Sequence, residues 1–252
     1  MKTAIISDIH GSWKQLERLL TLTEVSINGA KNENIRCIFI GDIVDLGRMS
    51  NTHEDFITIQ MAKKFGDDFI IGNHEIPWVF PFWRMEFGGM RNGTFEPELM
   101  KELISIVWQF ATDAHGFLIT HAGLDNRWKA TNSIDPAQIA DDIGDTVAYL
   151  IDGGNRLNGP VNKAPVITAI GYERGGGADF GGILWADERT FHTIPKVPQI
   201  IGHSFIGLTH KQKGHDWFID TGKGNPSAVV IDDDGKIEHV YVDNAERPKG
   251  WD

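Results

Sequence analysis

The chain has 252 residues, 41% of them hydrophobic and 23% charged, and a formal net charge of −11. That length allows one large domain or two small ones. The acidic balance argues against a protein that grips nucleic-acid phosphates, which needs a basic face, though not against phosphate chemistry, because a bound cation reverses the local field.

Apolar runs of three to five residues recur along the chain, and each ends in polar punctuation. The start, "MKTAIISDIHG", is too short in its apolar part for a signal peptide and reads as a first strand. "SWKQLERLLTL" follows, with Trp13, Leu16, Leu19 and Leu20 on one helical face and Ser12 with Gln15 as a capping box. "RCIFIGDIVD" is the second strand. Its Cys37 is the only cysteine, so no internal disulfide can form. A small buried thiol in a reducing cytoplasm is expected. "HEDFITIQMAKKFG" predicts a second helix closed by Gly66 after two lysines. "DFIIGNHE" is the third strand.

The stretch "PWVFPFWRMEFGGMRNGTFEP" (77–97) fits no element. Its aromatics suggest an insertion on the substrate side, or a cover for the sheet. "EPELMKELISIVWQF" predicts a third helix, with Pro97 in its first turn, and "FLITHAG" a fourth strand. "DPAQIADDIGDTVAYLI" predicts a fourth helix capped by Asp135. A second irregular zone spans "IDGGNRLNGPVNKAP" and "GYERGGGADFGG". "QIIGHS" and "WFIDTG" are further strands, and "SAVVIDDDGKIEHVYV" is a hairpin turning at Asp-Gly. Strand and helix alternate, so the class is α/β in layers, and the hairpin makes the sheet mixed. No linker or repeat divides the chain, so a single domain over 1–252 is expected. No run approaches the roughly 18 apolar residues of a membrane helix.

Five strand ends carry polar groups: Asp8 and His10; Asp42 and Asp45; Asn73, His74 and Glu75; His121; His203. One such residue alone reads as a turn or cap. In an open α/β sheet, however, the C-terminal strand ends share one edge, where ligands bind. Carboxylate, imidazole and amide suit Mn, Fe or Zn, and so many groups exceed the needs of one ion. Two ions about 3.5–4 Å apart, sharing a carboxylate, would employ them, as in phosphatases and nucleases. Gly72 in "GNHE" is read as the residue that lets the backbone turn sharply.

The series Asp8-Ile-His10, "GDIVDLGR", "GNHE", "THAG" and "GHS" resembles the calcineurin-like metallophosphoesterases, and most of all the phosphoprotein-phosphatase branch that includes bacterial diadenosine tetraphosphatases. The resemblance implies an α-β-β-α sandwich of mixed sheets with the metal site at the C-terminal strand ends. It implies that Asp8 and His10 hold a first divalent ion, that Asp42 bridges, and that Asn73, His121 and His203 complete a second, Mn before Fe or Zn. It makes His74 the catalytic histidine, paired with Asp45. It implies direct hydrolysis of a phosphorylated substrate by a hydroxide bridging the ions. The substrate is then a phosphomonoester or phosphoprotein, with a dinucleoside polyphosphate as the alternative. A phosphodiesterase or a non-catalytic metal-binding scaffold is the lesser reading. His203 is followed by Ser204 and Phe205 where diesterase and nuclease branches carry a second histidine. The sequence departs from the branch in its arginines: Leu46 and Ile71 stand where the branch has phosphate clamps. Arg48, Arg174 and Arg189 are the candidate replacements.

Overall fold

The computed structural model describes residues 1–44, 51–80, 96–128, 133–152, 165–222 and 225–242. Asp45, Arg48 and most of the aromatic stretch, residues 81–95, lie outside the described residues.

Two mixed sheets form the centre. The first runs β13-β12-β1-β4-β5-β6, with β1 Lys2–Ile6, β4 Ile35–Phe39, β5 Asp68–Ile70, β6 Trp108–Gln109, β12 Ser227–Ile231 and β13 Ile237–Tyr241. Strands β1, β4, β5 and β6 are parallel, and β12 and β13 pair antiparallel, as the Asp-Gly turn predicts. The second runs β10-β11-β9-β8-β7, with β7 Ala111–Ala114, β8 Phe117–Thr120, β9 Gln199–Ile201, β10 Lys211–Lys213 and β11 Asp216–Phe218. Its β8, β9 and β11 are parallel. A small hairpin, β2 Ser26–Ile27 with β3 Ala30–Lys31, stands apart.

Alternate residues of each strand point to opposite faces, and the core divides accordingly. Ile5, Ile38, Ile70 and Val229 of the first sheet meet Ile119 and Ile200 of the second in one buried layer. Ala4, Ile6, Cys37, Phe39, Phe69 and Val230 face the other way, against helices α1 (Trp13–Leu22), α2 (Thr52–Phe65) and α4 (Pro97–Ile104). Leu118 and Ala111 face outward from the second sheet against α5 (Pro136–Asp152) and Ile167 of α6 (Pro165–Thr168). The result is helix, sheet, sheet, helix. Helix α1 buries Leu16, Leu19 and Leu20, each stabilising by about 1.5–3 kcal/mol relative to exposure. Cys37 is buried in this core, and burial pushes its thiol pKa up.

Two local expectations need correction, the Ser12 cap and the length of the third helix. Ser12 precedes α1 but its side chain makes no cap bond. Gly66 ends α2 at φ −79, not in the left-handed region. Its hydrogen is needed because a Cβ would stand 2.5 Å from the Phe69 ring and 2.9 Å from Phe39. The helix predicted over 96–110 stops at Ile104. The Trp108 indole N–H donates to the Leu103 carbonyl at 2.8 Å, and Trp108–Gln109 joins β5 as a parallel edge strand. Of the aromatic stretch, Trp78 is buried in the core of the first sheet and Phe80 packs against that of the second, so both are packing residues. Among the described residues no helix is long and apolar enough to cross a membrane.

Candidate metal centre

Ile6, Phe39 and Ile70 end neighbouring parallel strands, and Thr120 and Ile201 end neighbouring strands of the other sheet. The loops after these five ends meet. Two groups of side chains bring their ligand atoms within 4.8 Å of one another: His10, Asp42 and His74, and Asp42, His121 and His203. Asp42 belongs to both.

Hydrogen bonding fixes the His121 tautomer. Its Nδ1 lies 2.8 Å from the Ile40 carbonyl, which only accepts, so Nδ1 carries the proton. Nε2 is left with a lone pair. It faces Asn73 Oδ1 at 3.0 Å, His203 Nδ1 at 3.1 Å and Asp42 Oδ1 at 3.5 Å. Asn73 Oδ1 and Asp42 Oδ1 are acceptors too, so no hydrogen relieves their approach to that lone pair, and a cation there would. Burial lowers the pKa of His121, and burial, followed by repulsion from any charge on His121 and from Arg174, lowers His203 further, so both rings favour the neutral form fit for ligation. The His203 Nε2 atom is buried with no hydrogen-bond partner.

The other group is built around the second Asp42 oxygen. His10 Nε2 is 3.7 Å from Oδ2 and His74 Nε2 is 3.8 Å from it. The two rings meet edge to face at 4.8 Å. Burial alone would raise the Asp42 pKa, but any positive charge on the surrounding rings, His121 first and then His74, His10 and His203, outweighs it and holds the carboxylate below its ordinary value. Asp8 takes the His203 N–H on both oxygens, at 3.0 and 3.1 Å. Burial, then Asp220, then Asp42, push its pKa well above the ordinary range. Converging buried carboxylates and neutral imidazoles are the donor set that divalent cations require.

The backbone is shaped to present these groups. His10, Asp42 and His203 have φ of 50, 49 and 62, a strained region for residues with a Cβ. Glu75 supports the turn. Its carboxylate, wholly buried, accepts from the N–H groups of Asp42, Ile43, Val44 and Gly72 at 2.8–3.2 Å. Burial and the Asp42 charge raise its pKa to about 7. A cation on Asp42 removes the second of these pushes. Gly72 is not at positive φ. A Cβ there would stand 2.2 Å from Asp42 Oδ1, so this glycine permits close approach and does not serve a sharp turn.

The candidate arginines divide. Arg189 spends its guanidinium on Asp187, Nε to Oδ1 at 2.7 Å and one terminal nitrogen to Oδ2 at 2.8 Å, and its side chain is mostly exposed. Arg174 meets Asp187 Oδ2 through Nε at 2.8 Å and donates to Ser204 Oγ at 2.8 Å, next to His203. The structure therefore brings Asp8, His10, Asp42, Asn73, His74, His121, His203 and Arg174 to one rim and leaves Arg189 as a brace for Asp187. Asp45 and Arg48 cannot be placed among the described residues. Sequence reasoning missed Asp187, Ser204 and Asp220. The signal for Asp220 was present, since "WFIDTG" has the same form as the other ligand-bearing strand ends.

Residues 1–204 match the family model of the calcineurin-like phosphoesterases. The chain belongs to that family. It is a metal-dependent phosphoesterase. No curated protein matches it. Among solved structures, it is similar to a protein provisionally named a diadenosine tetraphosphatase, at 17% identity and a TM-score of 0.55 over 97% of this chain and 95% of the other. It is also similar to a serine/threonine phosphatase from Saccharomyces cerevisiae with similarity to human phosphatase PP5, at 14% identity and a TM-score of 0.49 over 99% and 82%. A metallophosphoesterase from Sphaerobacter thermophilus aligns at 13% identity and a TM-score of 0.45 over 96% and 89%.

Proposed function

We propose that this single-domain chain hydrolyses phosphate monoesters, borne on a protein or a small molecule in the cytoplasm, at a pair of divalent cations held by Asp8, His10, Asp42, Asn73, His121 and His203, with manganese as the first choice of metal. The observation that carries the reading is the sharing of Asp42: its two oxygens face separate groups of ligand atoms, as a carboxylate between two cations would. Cations bound there supply an activated water and a positive field for the phosphoryl oxygens.

The chain's own groups do the rest. His74 is held by its backbone N–H on Asp42 Oδ1 at 3.0 Å, and its ring Nε2 lies 3.8 Å from Asp42 Oδ2. It donates a proton to the departing alkoxide, and Asp45 orients the ring. Glu75 fixes the Asp42 turn by accepting hydrogen bonds from the backbone N–H groups of Asp42, Ile43 and Val44, so the carboxylate need not reorganise during the reaction. Arg174, anchored at Asp187 and Ser204, presents its charge to the phosphate.

His74→Asn is expected to lower turnover of an aryl phosphate by roughly 10²–10⁴, with metal content by elemental analysis unchanged. Asp42→Asn is expected to lose metal and turnover together. Near-normal turnover in the first variant, or full metal content in the second, removes the assigned role. A panel of phosphopeptide, sugar phosphate and diadenosine tetraphosphate, assayed with manganese, separates the substrate classes.

A further inference from the structure

Among the described residues, the segments joined by the contact between Arg174 and Ser204 carry two large aromatic side chains that the fold does not bury. We propose that Phe205 and Tyr172 seat the leaving group of the ester, so that the enzyme favours phosphates whose leaving group carries an aromatic ring. The inference rests on the phosphoesterase reading above and names the substrate class of that site.

Phe205 follows His203 by two residues and is 64% exposed. Between them, Ser204 Oγ takes the Arg174 guanidinium. The Phe205 ring rests on bare backbone. A Cβ on Gly222 would stand 2.8 Å from its Cδ2 and Cε2 atoms, so the glycine is what lets the ring lie against the loop that follows Asp220. The same loop is tied to the Phe205 segment by the Ile206 N–H, which donates to the Asp220 carbonyl at 3.2 Å. Asp220 in turn acts electrostatically on Asp8. The ring thus rests on the loop that follows Asp220, two residues along the chain from His203.

Tyr172 is linked to the same contact through Arg174. It begins the short 3₁₀ turn Tyr172–Arg174 and is also 64% exposed. The contact between Arg174 and Ser204 therefore has an exposed aromatic residue two positions before the arginine and another one position after the serine. Other exposed apolar residues, such as Val107 and Leu22, belong to other parts of the chain, α1 and the segment after α4, and single exposures need no explanation. Two exposed rings within two residues of the contact between Arg174 and Ser204 do call for one. With the phosphoryl group against Arg174 and the histidines, the organic part of the ester extends outward over this rim. A flat ring gains stacking contact there, and a small aliphatic group does not.

The test is equilibrium binding of phenylphosphonate and methylphosphonate, neither of which can be turned over, to the manganese-loaded protein by calorimetry. Phenylphosphonate is expected to bind about tenfold more tightly. Phe205→Ala should collapse that ratio toward one, Phe205→Tyr should keep it, and Val107→Ala should leave it as in the wild type. Equal affinities in the wild type, or a ratio that survives Phe205→Ala, overturns the proposal. Turnover of phenyl phosphate and adenosine monophosphate against glycerol phosphate then distinguishes a phenolic from a nucleoside leaving group. If phenylphosphonate is preferred but no ester is hydrolysed, the aromatic seat stands and the catalytic reading falls.

Discussion

At the scale of single residues, glycine governs how closely the ligand-bearing loops approach. Gly41, Gly72 and Gly202 each precede a candidate ligand. A Cβ would stand 2.5 Å from Gly72 N at the first, 2.2 Å from Asp42 Oδ1 at the second and 2.4 Å from Asp8 Oδ2 at the third. Real Cβ atoms do not approach so closely, and at Gly72 and Gly202 the atom that must yield belongs to a candidate ligand. Gly72→Ala should therefore weaken manganese binding by tenfold or more in a calorimetric titration, with the far-ultraviolet circular dichroism unchanged. Gly144→Ala, in α5 with open space at its Cβ position, is the control. Wild-type affinity in Gly72→Ala would show that the loop relaxes freely and that the spacing does not matter. The ligand types themselves were legible in the sequence, because "GDIVD", "GNHE" and "GHS" interrupt apolar runs with groups that a buried strand end cannot tolerate unpaired. The positive φ of His10, Asp42 and His203 was not. No residue preference announces strain in a residue with a side chain, since the surrounding fold imposes it.

At the scale of elements, the sequence pattern identified α1, α2 and α5 and eight of the strands, and it failed where two patterns coincide. Residues 105–110 continue a helical pattern, yet the chain leaves the helix and adds β6, because an open sheet edge beside β5 competes with a last helical turn. Contacts between the outer strands were also illegible. His210, just before β10 at the edge of one sheet, reaches β12 and β13 at the edge of the other. Its Nε2 lies 2.8 Å from Ser227 Oγ, whose proton is committed to the Ile219 carbonyl at 2.6 Å, so Nε2 must be the donor. His210 Nδ1 then accepts from His239 Nδ1 at 2.7 Å. Tyr241 and Trp217 complete the surroundings, and no carboxylate is among these contacts. Burial, and next the His239 ring, depress the His210 pKa to about 3. Protonation puts a hydrogen on both facing nitrogens and breaks the contact. The folded pKa lies below the unfolded value of about 6.5, so the unfolded state binds more protons across that window. Stability is lost as the pH falls from about 6.5 toward 3, with a slope approaching 1.4 kcal/mol per unit for one proton, roughly. The urea midpoint of the wild type should drop more steeply between pH 6.5 and 4 than that of His210→Gln. Parallel curves for the two proteins would exclude the pair as the source.

At the scale of the whole molecule, the candidate ligands join what the chain leaves separate. Asp8, His10, Asp42, Asn73 and His74 follow strands of the first sheet, and His121 and His203 follow strands of the second. The strand ends were readable one by one. Their division between two stacked sheets was not, because it depends on pairings such as Leu118 with Gln199 and Ile6 with Phe39, far apart in sequence. Besides the side-chain layer of Ile5, Ile38, Ile119 and Ile200 and the His210 contact, the sheets meet at a rim where buried Asp42 and Asp220 both repel Asp8. A cation there replaces repulsion with ligation and ties the sheets together. It binds the native state only, so its affinity adds to stability: about 2.7 kcal/mol at a hundredfold excess over the dissociation constant. For a chain of this size that is roughly 5–10 °C in the thermal midpoint. Manganese should raise the midpoint by this order, a chelator should reverse the rise, and Asp42→Asn should abolish it while melting in a single transition. A midpoint indifferent to manganese would mean that the rim carries its charges without a metal, and the two-sheet centre would have to be sought in another chemistry.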